Sequence, residues 1–190
     1  DELEATQRNV RVAVSIINKN LNYIFFSPTR FKIDYQNGNY VLLSNGKVLR
    51  PSQISQGERN IIGLCYFFAS ILQNQEESIG YTKEYLLVID DPISSFDIEN
   101  KTGIMSFLRY QLGKFLFGNK DTRAIIMTHD LPTYYDLEKV FKELTTKSEK
   151  IYSEKTFYHS YELRNQKLIA VSSCKRQEYS ELVKIVYNYA

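Results

Sequence analysis

Apolar residues recur along the chain with two different periods, and the change from one to the other separates predicted helix from predicted strand. In the first stretch they stand three or four positions apart, at Val10, Val14, Ile17, Leu21 and Ile24. This spacing predicts an amphipathic helix, and it suits the seam of a coiled coil and a helix lying on a globular core equally well. From Phe31 the period becomes two, and Asn-Gly pairs at 37–38 and 45–46 predict the turns of a short antiparallel meander.

Two continuous apolar runs, Tyr85–Ile89 and Ala124–Met127, are typical of strands buried on both faces of a parallel sheet. Further helices are predicted within 61–72, 104–116, 131–144 and 178–189, edge strands within 156–171, and a loop over 73–83. Because buried strands alternate with helices, we predict an α/β fold with a mostly parallel core sheet flanked by helices, and a small antiparallel meander near the N-terminus.

We divide the chain into three parts. Residues 1–27 form a helix that is a candidate for the end of a coiled coil, residues 28–175 form one lobe, and residues 176–190 form a helix that is a candidate for the start of a following domain. The chain begins with Asp1 and not with Met, and its last predicted helix reaches Ala190 without a capping residue, so we expect the natural chain to continue.

Charge and cysteine content limit the cellular compartments and the kinds of partner that we expect for this protein. The chain has 24 basic and 22 acidic side chains, a net charge of +2, which is too balanced to indicate a nucleic-acid partner from bulk charge. Its two cysteines, Cys65 and Cys174, do not form a CxxC pair, and no apolar run reaches the roughly 18 residues of a membrane-spanning helix. There is no secretory signal pattern at the N-terminus. These observations favour a cytoplasmic protein with reduced thiols and no membrane partner.

Two carboxylates follow the first apolar strand directly. Leu86 to Ile89 lead into Asp90 and Asp91, a pattern that predicts acids at the carboxyl end of a buried strand, where open α/β sheets bind ligands. One carboxylate there can hold Mg²⁺ while the next polarises an attacking water. A strand that ends in a solvated Asp-Asp-Pro turn would show the same residues, so both interpretations stay open for this motif alone.

A polar motif stands directly before the helix predicted at 61–72. It reads Ser55-Gln56-Gly57-Glu58-Arg59, and the three-residue spacing of Ser55 and Glu58 is that of a capping box. A serine hydroxyl, a glycine and free amides at the start of a helix also suit the binding of a terminal phosphate. The two interpretations are compatible.

His129 ends the second apolar strand, and Ser94-Ser95-Phe96-Asp97 follows the acidic pair. A histidine at a strand end can bond a phosphate or hold an attacking water, although a lone histidine in this place more often has a structural role. Arg123 and His129 also have the Arg-x5-His spacing of some helical ribonuclease sites. However, the two residues flank a predicted strand and not a helix, which argues against a nuclease site within these residues.

Taken in order, the serine-glycine loop, the strand with paired acids, the Ser-Ser-Phe-Asp turn and the strand followed by Thr-His resemble the C-terminal half of an ABC-class ATPase head, over about residues 10–170. The resemblance implies that a complete head binds ATP and Mg²⁺ and hydrolyses ATP. In that family's terms, Asp90 would be the magnesium-binding acid of Walker B, Asp91 would take the position of the catalytic base, and His129 would be the switch histidine.

The same resemblance implies a dimer of heads that closes around ATP. Ser55, Gln56, Gly57 and Glu58 would belong to the signature motif, which meets the γ-phosphate bound to the opposite subunit. Ser95 and Asp97 would belong to the D-loop at the seam between the two subunits.

Two features depart from that family. Most of its members carry Glu where Asp91 stands, and a shorter acid lies further from the attacking water, which lowers the expected rate of hydrolysis. The chain also contains no G-x-x-x-x-G-K-[ST] P-loop, since Gly46-Lys47 lies in a predicted hairpin turn and is followed by Val48. We therefore expect a missing N-terminal lobe, on the same or another chain, to hold most of the nucleotide, and we expect this chain alone to be inactive.

Within the family, the string Asp-Asp-Pro-Ile-Ser-Ser-Phe-Asp together with Ser-Gln-Gly-Glu-Arg looks most like the PrrC/RloC type of bacterial anticodon-nuclease defence ATPase. That resemblance implies a head that controls an attached RNA-cutting module, with tRNA as the partner. The helix followed by a meander is also similar to SMC-like repair ATPases, for which the partner would be DNA. A catalytically inactive lobe used only for assembly is the third interpretation.

Overall fold

The structure is a computed structural model that describes the backbone of residues 2–36, 38–72, 75, 77–93, 98–154, 157–171 and 186–188, and the side chains of these residues apart from 2–9, 98 and 99. The helices are α1 (Glu2–Phe25), α2 (Gln56–Ile71), α3 (Glu77–Gly80), α4 (Ile98–Gly118) and α5 (Leu131–Tyr152). The strands are β1 (Lys32–Gln36), β2 (Asn39–Ser44), β3 (Lys47–Val48), β4 (Leu86–Asp90), β5 (Arg123–Met127), β6 (Tyr161–Arg164) and β7 (Lys167–Ala170), and a 3₁₀ turn covers Pro51–Gln53.

Helices α1, α2 and α4 enclose the hydrophobic core. Ile17, Leu21 and Ile24 of α1 are at most 3% exposed, so this part of the predicted seam lies on a globular core. The rings of Phe68 in α2 and Phe107 in α4 meet edge to face at 5.5 Å, and both side chains are fully buried. Burying a side chain of this size stabilises the fold by roughly 1.5–3 kcal/mol. The helix predicted at the N-terminus is confirmed, and the three apolar residues in its second half pack against the core.

Strands β4 and β5 form a parallel pair, as the two apolar runs predict. Leu86 lies opposite Arg123, and Asp90 lies opposite Met127. One face of the pair is covered, because Leu87 and Ile89 are only 2% and 7% exposed and belong to the core. The α/β class is confirmed.

The prediction that these strands are buried on both faces is wrong for the residues that the structure describes. The second face carries large apolar side chains that are 45% to 64% exposed: Leu86, Val88, Ile125 and Met127. A continuous apolar run indicates that a strand is suited to burial on both faces. It does not indicate which segment covers the second face.

The antiparallel elements occur where turn residues predict them. β1, β2 and β3 pair in that order, and Asn45 and Gly46 both have positive φ, at 48° and 78°, as a tight Asn-Gly hairpin requires. The side-chain amide of Asn18 in α1 holds the Ile33 backbone through two hydrogen bonds of 2.7 and 2.8 Å, which fixes the meander against α1. Strands β6 and β7 form a second hairpin around Asn165.

Several boundaries differ from the prediction. Helix α2 begins at Gln56, before the predicted 61, and α4 extends beyond the predicted 104–116 at both ends. Residues 73–83 were expected to form only a loop, but they contain the four-residue helix α3, which is too short to produce a hydrophobic period. Lys19 and Lys114 both bond the carboxylate of Glu77 in its first turn, so tertiary contacts stabilise it. Helix α5 continues to Tyr152, beyond the predicted end. Of the helix predicted at 178–189, the structure describes residues 186–188, which are helical.

Candidate functional site

The acidic pair lies at the carboxyl end of β4. Alternation along the strand places the exposed side chain of Asp90 on the open face, in register with Met127 of β5. Asp91 is the first residue after the strand, and its N–H donates to the carbonyl of Met127 at 2.8 Å. Its φ of 45° is left-handed, a conformation that aspartate adopts more readily than most residues. The backbone therefore turns sharply at Asp91, directly over the end of β5.

Both carboxylate oxygens of Asp91 are in contact with side chains of the two residues that follow β5. The hydroxyl of Thr128 donates to Oδ1 at 3.1 Å, and Nδ1 of His129 lies 2.8 Å from Oδ2. The Asp91 side chain is 24% exposed, whereas that of His129 is 78% exposed. Because Nδ1 lies next to the Asp91 carboxylate, Nε2 is the ring nitrogen that His129 can offer to a ligand or water.

Asp130 caps the start of α5 beside this cluster. Its carboxylate accepts hydrogen bonds from the backbone N–H of Thr133 at 3.0 Å and from the Thr133 hydroxyl. Lys101 from the first turns of α4 bonds the same carboxylate at 3.3 Å. The bond from the Thr133 hydroxyl, together with those from its backbone and from Lys101, lowers the pKa of Asp130 below its ordinary value. These contacts tie α4 and α5 together next to His129.

The Ser55 motif forms a complete capping box at the start of α2. The Ser55 hydroxyl accepts from the N–H of Glu58 at 3.2 Å and donates to Oε2 of Glu58 at 2.9 Å. The same Oε2 accepts from the Ser55 N–H at 2.9 Å. Gln56 bonds Asn60 one turn further on, and Gly57 is buried. The capping interpretation is therefore confirmed, and the geometry leaves the phosphate-binding interpretation as a prediction.

The structure brings Asp90, Asp91 and His129 together at one edge of the parallel pair, as their positions at strand ends predict. Among the described residues, the Ser55 hydroxyl forms its hydrogen bonds with Glu58 and not with this group. Ser95 and Asp97, the predicted D-loop residues, lie outside the described residues.

Arg123 and His129 do not form a common site. They stand at opposite ends of β5, six residues apart, which in an extended strand is roughly 20 Å. The guanidinium of Arg123 donates to the carbonyls of Lys120 at 2.8 Å and Thr122 at 3.0 Å. This separation excludes a nuclease site built from the pair.

Thr128, Asp130 and Lys101 are contributors to the site that the sequence motifs did not identify. A cap at Asp130 was detectable, because Asp followed by Leu131-Pro132 is a helix-start signal. The role of Thr128 depends on its contact with a residue 37 positions away, and no local pattern predicts such a contact.

Asp90 supplies the kind of donor atom that Mg²⁺ takes in nucleotide sites. Within the described residues, no group of three or more His, Cys, Asp or Glu side chains is close enough to hold a metal ion. Mg²⁺ in nucleotide sites usually takes one or two carboxylates and fills its remaining positions with phosphate oxygens and water. An exposed carboxylate at the strand end, such as Asp90, fits that requirement.

In the part of the chain that the structure describes, we find no helix with the length and apolar character needed to cross a membrane.

The chain was compared with known families, proteins and structures. A family model described as AAA domain matches residues 1–190. Two sequences from Staphylococcus aureus, one of them from strain MRSA252, are both described as an uncharacterized chromosomal cassette SCCmec type IVc protein. Each is 30% identical to this chain over 122 residues, which is 62% of this chain and 17% of the relative. The SMC head domain from Thermotoga maritima is similar with a TM-score of 0.47 and 16% identity, over 86% of this chain and 48% of that chain. The chain thus spans only a minor part of the length of these relatives.

Proposed function

Since the chain belongs to the AAA domain family, whose model matches it over residues 1–190, we propose that it is the C-terminal half of an ABC-class ATPase head. In this proposal the complete head binds and hydrolyses ATP and acts as a switch for an attached effector. The order of the motifs supports this class, since the serine-glycine loop, the paired acids and the Thr-His strand end follow one another as in such heads.

One observation carries the proposal: the Asp91 carboxylate and the His129 ring are in contact at the carboxyl ends of two parallel strands. They are 2.8 Å apart, and the ring is exposed to solvent. In this position Asp91 would polarise the water that attacks the terminal phosphate, and His129 would orient that water or a phosphate oxygen through Nε2. Both groups lie where open α/β sheets bind their ligands.

Asp90 would hold Mg²⁺ at the same edge, next to the acid that polarises water. The ion, when bound, would supply neutralisation of the phosphate charges, which is its general contribution to phosphoryl transfer. The two acids would have different roles because they point in different directions. Side chains alternate along β4, so Asp90 lies on the open face, whereas Asp91 follows the strand and lies over the end of β5.

The start of α2 would meet the γ-phosphate of ATP bound to a second head. Ser55 would present its hydroxyl, Gln56 and Gly57 their backbone amides, and Glu58 would hold Ser55 in place through the capping box. In this proposal a homodimer of heads forms around ATP, and the D-loop residues Ser95 and Asp97 lie at its seam.

The test uses the full-length protein that contains this chain. Asp91→Ala should lower ATP turnover by about 100-fold or more, which is the usual range for loss of a general base, while nucleotide binding remains. Glu84→Ala is the matched control, since this exposed acid lies just before the other end of β4. Wild-type turnover in Asp91→Ala would refute the proposed role.

The isolated chain provides a second test. Because the chain has no P-loop, we expect it to show no ATP turnover, and we expect an N-terminal lobe supplied on the same or another chain to restore turnover. Turnover by the isolated chain that survives Asp91→Ala would show that the active site lies elsewhere.

For the effector, we propose an RNA-cutting module of a cytoplasmic bacterial defence system, with tRNA as its target. The support is the string of residues from Asp90 to Asp97 together with the Ser55 motif, which looks most like the PrrC/RloC type. A DNA-repair head would share the ATPase site but would act on DNA. Measuring whether tRNA or DNA ends stimulate the ATPase of the full-length protein separates the two.

A second candidate function is an inactive lobe that serves assembly alone. It is favoured by the capping box, which accounts for the polar side chains of Ser55 and Glu58 without any phosphate. This candidate predicts dimers or larger assemblies whose formation does not respond to ATP. Sizing of the full-length protein with and without Mg-ATP distinguishes it from the switch.

A further inference from the structure

Thr128 lies between the candidate catalytic acid and the start of α5. Its Oγ1 is 3.1 Å from Oδ1 of Asp91 and 3.2 Å from the backbone nitrogen of Asp130. The Asp130 N–H can only donate, so the hydroxyl oxygen accepts there. The single hydroxyl proton therefore remains for the Asp91 carboxylate, which can only accept. The direction of both hydrogen bonds is thus determined by the chemistry of the partners.

Asp91 is held by the last residue of β5, Met127, and by the two residues that follow it. The carbonyl of Met127 accepts from the backbone N–H of Asp91, the Thr128 hydroxyl donates to Oδ1, and Nδ1 of His129 lies 2.8 Å from Oδ2. Loss of the Thr128 hydroxyl would remove the hydrogen bond to Oδ1 of Asp91, which links the carboxylate to the turn that begins α5.

We propose that Thr128 is a positioning residue, which fixes the orientation of the Asp91 carboxylate so that Asp91 can polarise the attacking water. The inference rests on the proposed function of Asp91. Aspartate reaches less far than the glutamate usual in such heads, so its orientation matters more for the distance to the water. Misplacement of a reacting group by about 1 Å can lower a rate as much as 100-fold.

The competing explanation is structural. Thr128 also satisfies the N–H of Asp130, the capping residue of α5, and a threonine in such a turn often has that task alone. In that case the loss of the hydroxyl would lower stability and leave the orientation of Asp91 unchanged.

The experiment compares Thr128→Val, which keeps the shape but removes the hydroxyl, with Thr128→Ser, which keeps the hydroxyl, in the full-length protein. Asp91→Ala and the double variant Asp91→Ala/Thr128→Val complete a cycle. For each protein we would measure kcat and KM for Mg-ATP, the Kd of a fluorescent ATP analogue and the melting temperature. Crystal structures of the two Thr128 variants would show the Asp91 side chain.

We expect Thr128→Val to lower kcat by about tenfold, with KM and Kd within about twofold of wild type. Thr128→Ser should stay within about twofold in kcat. In the Asp91→Ala background, Thr128→Val should have no further effect on the residual rate. The Asp91 carboxylate should occupy more than one orientation in Thr128→Val and a single one in Thr128→Ser.

Several results would overturn the inference. One is a wild-type kcat for Thr128→Val when Asp91→Ala is inactive. That result would refute the role of Thr128 and leave the proposed function of Asp91 intact. Others are an equal loss in Thr128→Ser, and an unchanged Asp91 orientation in Thr128→Val. Wild-type turnover in Asp91→Ala would instead remove the proposed function, and this inference with it. If Thr128→Val does not fold, Thr128→Ala takes its place in the same cycle.

Discussion

Substitutions at Ser55 separate a helix cap from a phosphate contact, and the geometry of the capping box sets their expected size. Ser55→Ala removes the two hydrogen bonds of the hydroxyl, to the N–H and the carboxylate of Glu58, but keeps the bond from the Ser55 N–H to Oε2. The loss of a serine cap costs about 1 kcal/mol, which corresponds to a fall in melting temperature of roughly 2–4 °C for a domain of this size.

Ser55→Asp does not restore the box on its own. Aspartate is also a good cap, but its carboxylate would replace a hydroxyl that donates to Oε2 of Glu58 at 2.9 Å. Two like charges three residues apart destabilise a helix by about 0.2–0.5 kcal/mol. The pair Ser55→Asp/Glu58→Gln removes this repulsion, because a glutamine amide can donate to the new carboxylate. We therefore expect the double variant to recover the stability that Ser55→Ala loses.

The assay combines sedimentation of the full-length protein in the presence of Mg-ATP with a thermal melt. If Ser55 meets a γ-phosphate across the dimer, the double variant sets a carboxylate against that phosphate. We then expect it to remain monomeric with ATP although its melting temperature stays within roughly 2 °C of wild type. Glu58→Gln alone measures the contribution of the Glu58 carboxylate to both readings.

Normal ATP-dependent dimerisation by a stable Ser55→Asp/Glu58→Gln protein would refute the phosphate contact. The capping box would then be the only role of Ser55, and the inactive assembly lobe would become the better explanation. Failure of the double variant to recover stability would instead refute the account of the charge repulsion.

Three further predictions concern packing, acid stability and metal binding. Gly103→Ala should destabilise the fold by about 1–3 kcal/mol, since the added Cβ would lie 2.1 Å from a backbone carbonyl oxygen of α1. Gly63→Ala has open space around its Cβ and should stabilise the fold by up to about 1 kcal/mol. Equal shifts of the two variants in chemical denaturation would contradict this. The bond from Lys114 lowers the pKa of Glu77 below its ordinary value, so the stability that this pair contributes is present near neutral pH and is lost on acidification. Glu77→Gln should therefore lose less stability than wild type from about pH 5 downward, and parallel losses of the two proteins would disprove this. Asp90→Asn should raise the Mg²⁺ concentration for half-maximal ATP turnover by about tenfold or more, and an unchanged Mg²⁺ titration would rule out Asp90 as the ligand.

Local physical chemistry made part of this protein predictable from its residues alone. Turns at Asn45-Gly46 follow from the positive φ that this pair tolerates, and the helix start at Ser55 follows from a capping box four residues long. The pairing of β4 with β5 was predictable too, because continuous apolar runs that alternate with helices form parallel sheets. That pairing also placed Asp91 and His129 at one edge before any distance was known.

Other features depended on contacts between residues far apart in the chain. The bond from Thr128 to Asp91 spans 37 positions, and helix α3 is held by lysines of α1 and α4 that stand 58 and 37 positions from Glu77. No periodic pattern or turn signal encodes such contacts, because they arise only when packing brings the elements together. The exposure of one face of the β4–β5 pair has the same origin. Hydrophobicity determines that a side chain is suited to burial, but only the tertiary arrangement determines which other segment covers it.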